Sequence, residues 1–171
     1  MKNPVAVFCL IVFLLVGCQS ENSTEPPPDT GQRLHFTPAE VTVSGGEQTS
    51  LRLVVENLTD SIFAISLRIS YRDSILTFAG VAGAESGDFF GADAIQFAQD
   101  TLSVLHITIS RIQGQTEVNG SGTICTFRFV GRNAGNCVME ILPDQLEFYD
   151  SAGRTIEVPN LEIKTASVHV I

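Results

Sequence analysis

Ile62-Phe63-Ala64-Ile65-Ser66-Leu67-Arg68-Ile69-Ser70-Tyr71 alternates large apolar residues with small or polar ones. Period two marks a half-buried strand, because successive side chains leave a pleated backbone on opposite sides. Phe63, Ile65, Leu67, Ile69 and Tyr71 are expected on a core face, with Ala64, Ser66, Arg68 and Ser70 pointing away from it. From Leu34 onward the rest of the chain follows suit, with segments rich in Val, Ile, Thr and Phe separated by Gly, Asp, Asn and Ser. Candidate strands are Leu34–Thr37 with Val41–Val43, Thr49–Glu56, Ile62–Tyr71, Leu76–Val81, Ala94–Ala98, Leu102–Ile109, Gly122–Val130, Cys137–Leu142, Glu147–Tyr149 and Ser167–Ile171. Roughly nine strands and no convincing amphipathic helix predict an all-β, two-sheet β-sandwich, since a single sheet would leave an apolar face in water. No proline occurs between Pro38 and Pro143, as central strands require if their ladder hydrogen bonds are to stay intact.

Two further strands add to the outward face. In Leu102–Ile109 the apolar parity changes between Val104 and Leu105, which predicts a β-bulge there and turns His106, Thr108 and Ser110 outward. In Gly122–Val130, Cys125, Phe127 and Phe129 take the inward positions and Thr126 and Arg128 the outward ones. Ser66, Arg68, Ser70, His106, Thr108, Ser110, Thr126 and Arg128 are therefore the candidate partner-binding face.

The N-terminus carries a different signal. Val5–Val16 is an uninterrupted apolar run of twelve residues after a single Lys2, too short for a membrane-spanning helix of about 20 residues and typical of a secretory signal. It ends in Leu15-Val16-Gly17-Cys18, which resembles the lipobox of bacterial lipoproteins, where the cysteine is acylated and becomes the mature N-terminus. Residues 1–17 are thus expected to be a lipoprotein signal peptide and Cys18 the lipidation site. Gln19 rather than aspartate follows the cysteine, which in the Gram-negative sorting rule implies the outer membrane. Residues 18–33 are polar, contain Pro26-Pro27-Pro28 and no large apolar side chain, and read as a flexible Pro-rich tether, leaving 34–171 as the domain. Localisation is expected to be extracytoplasmic, with the lipid as the membrane contact.

Charge narrows the partners. The 171 residues hold 10 Lys+Arg against 19 Asp+Glu, a net charge of −9; loss of the signal with Lys2 makes it more negative still. An acidic chain with so few cations is poorly suited to a phosphate backbone, so nucleic acid is excluded as a partner class.

The order of the motifs then suggests a family. Thr37-Pro38-Ala39-Glu40-Val41-Thr42-Val43-Ser44-Gly45-Gly46-Glu47 leads into a strand; Phe63 to Tyr71-Arg72-Asp73-Ser74-Ile75-Leu76 follows, and later Val118-Asn119-Gly120-Ser121-Gly122-Thr123-Ile124-Cys125-Thr126-Phe127-Arg128-Phe129. Over residues 34–171 this is similar to the cohesin family. The resemblance implies a nine-stranded jelly-roll sandwich related to carbohydrate-binding modules, noncatalytic, whose partner is a dockerin module of a polysaccharide-degrading enzyme such as a glycoside hydrolase. Two departures stand out: members typically carry Tyr-Asp-Pro where this chain has Tyr71-Arg72-Asp73, and an outward Asn and Asp where it has Ala64 and Ser66. They leave the implied fold intact and weaken the implied standard dockerin contact. Direct carbohydrate binding is the alternative; with Trp absent and only Tyr71 and Tyr149 as tyrosines, it has no evident aromatic platform.

No short signature of a nucleotide, metal or nucleophile site occurs. No catalytic residue, cofactor or metal is expected. His35, His106 and His169 are dispersed in strands and read as surface residues, and Asp88, Asp93, Asp100, Asp144 and Asp150 as turn carboxylates rather than calcium ligands. Phe89-Phe90 is either an exposed anchor or a plug at the end of the sandwich. With Cys9 in the signal and Cys18 acylated, Cys125 and Cys137 remain. In a cohesin-like topology their strands lie in opposite sheets, so they form either a bridge that clips the sandwich or two buried free thiols.

Overall fold

The computed structural model describes residues 31–81 and 87–171. The Val5–Val16 run, Cys18 and the tether as far as Thr30 lie outside the described residues, as do residues 82–86 of the glycine-rich stretch. Thirteen strands are formed among the described residues: β1 Arg33–Thr37, β2 Glu40–Val43, β3 Gln48–Ile62, β4 Ala64–Ser70, β5 Leu76–Val81, β6 Ile95–Thr101, β7 Val104–Ser110, β8 Val118–Gly131, β9 Gly135–Ile141, β10 Glu147–Tyr149, β11 Thr155–Ile156, β12 Glu162–Ile163 and β13 Ala166–Val170. A 3-10 turn, Pro143–Gln145, joins β9 to β10.

The strands sort into two sheets. One runs β12-β1-β3-β8-β5; the other runs β11-β10-β4-β9-β13-β2, with β7 along the free side of β4 and β6 outside β7. Between them lie Leu51, Leu53 and Val55 of β3, Phe127 and Phe129 of β8, Ile65, Leu67 and Ile69 of β4, Leu105, Ile107 and Ile109 of β7, and Val168 and Val170 of β13. Each large apolar side chain withdrawn from water contributes about 1.5–3 kcal/mol. Aromatic edges interlock within this layer: Tyr71 meets Phe129 at 5.5 Å in a T-shaped contact, and Phe89 meets Phe90 at 5.1 Å and 89°. Phe89 and Phe90 are thus buried as a plug.

Where structure and pattern differ, the cause is local. Phe63 is only half-buried and Ile62 takes the core position. The chain turns from β3 into β4 there, with the Phe63 N–H donating to Tyr149 O at 2.7 Å and its carbonyl accepting from Arg111 N at 3.0 Å. The expected bulge at Val104-Leu105 is instead a two-residue hairpin turn. Thr101 pairs with Val104, and Leu102 and Ser103 carry φ of 50° and 70°, so the change of parity is a change of strand. A bulge does occur in β8: Cys125 pairs with Leu53 and Thr123 with Val54, leaving Ile124 as the extra residue, so that Ile124 and Cys125 are both buried. Arg33 begins β1 one residue before the expected boundary, and Gln32 is already tied to the domain through Pro159 O at 2.8 Å.

Gly87 shows why a side chain is excluded at one point. Its φ is +88°, and a Cβ there would lie 1.8 Å from Thr123 O. The segment is drawn onto β8 by Phe89 N to Thr123 O at 3.2 Å and Thr123 N to Asp88 Oδ1 at 2.9 Å, and only glycine permits that approach.

Candidate functional site

Antiparallel pairing arranges the outward residues of β6, β7, β4 and β10 in rows. One row reads Phe97, Thr108, Ser66, Glu147; the next Gln99, His106, Arg68; a third Ile95, Ser110, Ala64, Tyr149. Of the residues predicted for the binding face, Ser66, Arg68, Ser70, His106, Thr108 and Ser110 are brought together here. Thr126 and Arg128 are not. They lie on β8, which pairs with β3 and β5 in the opposite sheet, where Thr126 faces Arg52 and is only 8% exposed and Arg128 faces Ser50 and Gly80. Parity tells which side of its own sheet a residue occupies, but not which sheet that is.

The face is organised around Arg68. Its Nε donates to His106 Nδ1 at 3.1 Å, and its Nη1 donates to Gln145 Oε1. The second contact exists because β9 and β10 share one edge of β4, at Ile69-Ser70 and Ala64–Ser66 respectively. The Pro143–Gln145 turn between them is pinned by Leu142 N to Arg68 O at 2.9 Å, which lifts Asp144 and Gln145 over the sheet. Thr108 Oγ1 donates to Ser66 Oγ at 3.4 Å. These groups, with Phe97, Gln99 and Glu147, line a depression of about 310 Å³.

Ile95 and Phe97 carry a signal the sequence pattern did not reveal. They are 63% and 59% exposed, while Gln96, Ala98 and Asp100 pair with the inward Ile109, Ile107 and Leu105. The Leu102-Ser103 turn locks this inverted register, since a slip of one residue would exchange the two sets. The turn is itself held, because Tyr71 N donates to Ser103 O at 3.0 Å and Tyr71 OH to Asp100 Oδ2 at 2.8 Å. Burial, reinforced by the Asp100 carboxylate, pushes the Tyr71 phenol far above its ordinary value, so it remains a neutral donor. Leu102 at the tip is 88% exposed and Ile112 just beyond β7 is 43% exposed. The β6–β7 hairpin and its flank thus supply four of the six exposed large apolar side chains among the described residues.

The other sequence candidates are structural. Cys125 and Cys137 are buried free thiols, so the alternative of a bridge is not formed; Cys137 Sγ instead accepts from Arg72 N at 3.1 Å. Burial raises both thiol pKa values, which suppresses the reactive thiolate. Asp150 closes the β10–β11 turn by accepting from Ala152 N and Arg154 N at 2.9 and 2.8 Å, and Asp88 and Asp100 are engaged as described above. His35 Nε2 lies 3.3 Å from Glu56 Oε1 and His169 is exposed on β13. Among the described residues, no group of three or more His, Cys, Asp or Glu is placed to hold a metal ion.

Solved structures share this architecture. The third cohesin ScaC of Acetivibrio cellulolyticus, in complex with the ScaB dockerin, aligns with a TM-score of 0.65 at 15% identity over 82% of this chain and 99% of that one. A type II cohesin domain from the cellulosome of the same organism aligns at 0.65 and 14% over 81% and 95%. A cohesin–dockerin complex of Clostridium thermocellum aligns at 0.61 and 9% over 82% and 99%. No family model and no curated protein matches the sequence. The chain has a cohesin-like β-sandwich fold.

Proposed function

We propose that this chain is a noncatalytic module, lipid-anchored through Cys18 outside the cytoplasm, that recruits a dockerin-like protein partner through the outward face of β6, β7, β4 and β10. An outer-membrane site and a role in polysaccharide degradation, with the partner module borne by a glycoside hydrolase, complete the reading. The observation that carries it is the apolar pair Ile95 and Phe97, held outward on the strand beside β7 and β4, whose inner residues are buried. Exposed aromatic and aliphatic anchors beside an oriented arginine are the composition of a protein-binding hot spot. The dockerin complexes among the similar structures support the choice of partner, as does the lipobox for location.

The test is affinity capture from secreted and periplasmic protein of the source cell, with peptides identified by mass spectrometry. The expected catch is a protein with paired calcium-loop segments, lost with Phe97→Ala and retained with Arg128→Glu, whose site lies on the opposite sheet. Absence of any such protein, or equal loss with Arg128→Glu, overturns the reading.

A further inference from the structure

We infer that the depression around Arg68 binds a hexuronic acid residue of an acidic polysaccharide. Arg68 is charged, yet its two acceptors, His106 Nδ1 and Gln145 Oε1, carry no negative charge, and it forms no ion pair with a carboxylate of the described residues. Both contacts orient the guanidinium without neutralising it. A guanidinium oriented in this way, with no carboxylate paired directly to it, is a receptor for a planar carboxylate, which it grips through two parallel N–H donors.

The surroundings decide what else that ligand carries. Asp144 and Glu147 line the same depression; they accept hydrogen bonds from hydroxyl groups, which a sugar offers and an acidic side chain does not. Ser66, Thr108 and Gln99 add small polar partners, and Phe97 offers an apolar wall. A ligand with one carboxylate, several hydroxyls and one apolar ring face satisfies all of these at once, and a pyranose with a carboxyl at its exocyclic carbon is such a ligand. The volume of about 310 Å³ accommodates one sugar ring. This inference is argued from the depression and does not rest on the protein-recruitment reading, although the two share Arg68 and Phe97.

The full chain in mild detergent, labelled with ¹⁵N, is titrated with trigalacturonate, cellotriose and tetraglutamate. Trigalacturonate is expected to shift the amides of Ser66, Gln99, His106 and Thr108, while the neutral sugar and the acidic peptide leave them in place. Arg68→Met is expected to weaken the effect at least about tenfold, Arg68→Lys to restore only part of it, and Phe97→Ala to weaken it by a similar factor. Unchanged core amides report that each variant is folded. No shift with trigalacturonate, equal response to cellotriose, equal affinity of Arg68→Met, or tetraglutamate binding as tightly overturns the proposal; the last outcome assigns the site to acidic peptides. Protein capture by the parent chain and sugar titration of the parent chain are separate measurements, so each reading can fail while the other stands.

Discussion

The two outward faces of the sandwich treat their charges in opposite ways. On the β12-β1-β3 side, Arg33 meets Glu56 and Glu162 at 3.1 Å each, His35 lies against Glu56, and Lys164 reaches Glu162 at 3.4 Å. That face neutralises itself. On the β6-β7-β4 side, Arg68 is held by His106 and Gln145 rather than by a carboxylate, and two large apolar side chains point into water. Internal satisfaction on one side and unsatisfied capacity on the other separate a solvated wall from a receiving surface. Residue type alone does not, since both faces display arginine, histidine and hydroxyl groups.

That contrast can be broken most directly by replacing Ile95 with Ser and Phe97 with Ala together. Partner affinity should fall by about a hundredfold, the scale of a lost hot spot, while the urea midpoint stays nearly unchanged because both side chains are exposed. An Arg33→Ala variant should show the converse in the same two measurements. Binding should hold, and stability should drop by about 0.5–1 kcal/mol, since the ion pairs it loses are partly exposed. A matching unfolding curve for Arg68→Ala should fall within about 0.5 kcal/mol of the parent; a larger loss would make Arg68 a structural residue.

The hairpin tip offers an effect of opposite sign. Leu102 and Ser103 occupy positions with positive φ that favour Asn and Gly, so Leu102→Asn with Ser103→Gly should stabilise the fold by about 0.5–1 kcal/mol. If Leu102 also touches the partner, the same pair of changes weakens binding, linking turn strain to recognition. The smallest effect is at Asp150, whose carboxylate is lowered by the Arg154 N–H, the Arg154 guanidinium and the Ala152 N–H. Its NMR titration midpoint should lie below the ordinary carboxylate value. The turn's contribution is then complete above the unfolded-chain pKa and is lost only as pH falls through the lower folded one.

Period-two alternation made the core positions Ile65, Leu67 and Ile69 of β4 legible, and it located β5 and β10 with their observed ends. It did not reveal β11 and β12, because two residues carry no period. It left the partner sheet of β8 unspecified, because pairing is a long-range property, and so Thr126 and Arg128 were grouped with residues across the sandwich. Half of the site on β4 and β7 followed from parity. Phe97 and Ile95 did not, since an apolar residue in a strand is by default an inward one, and only the turn at Leu102-Ser103 reverses them. Gln145, Asp144 and Glu147 entered through the shared edge of β4, which no local pattern encodes.

The Pro143–Gln145 turn sits where one strand's edge passes from β9 to β10, anchored from below by Leu142 N and closed by its own Leu142 and Pro143 carbonyls. Its backbone is therefore indifferent to which side chains Asp144 and Gln145 carry. Substitutions at these two positions change what the depression offers a ligand while leaving the backbone of the sheet beneath in place.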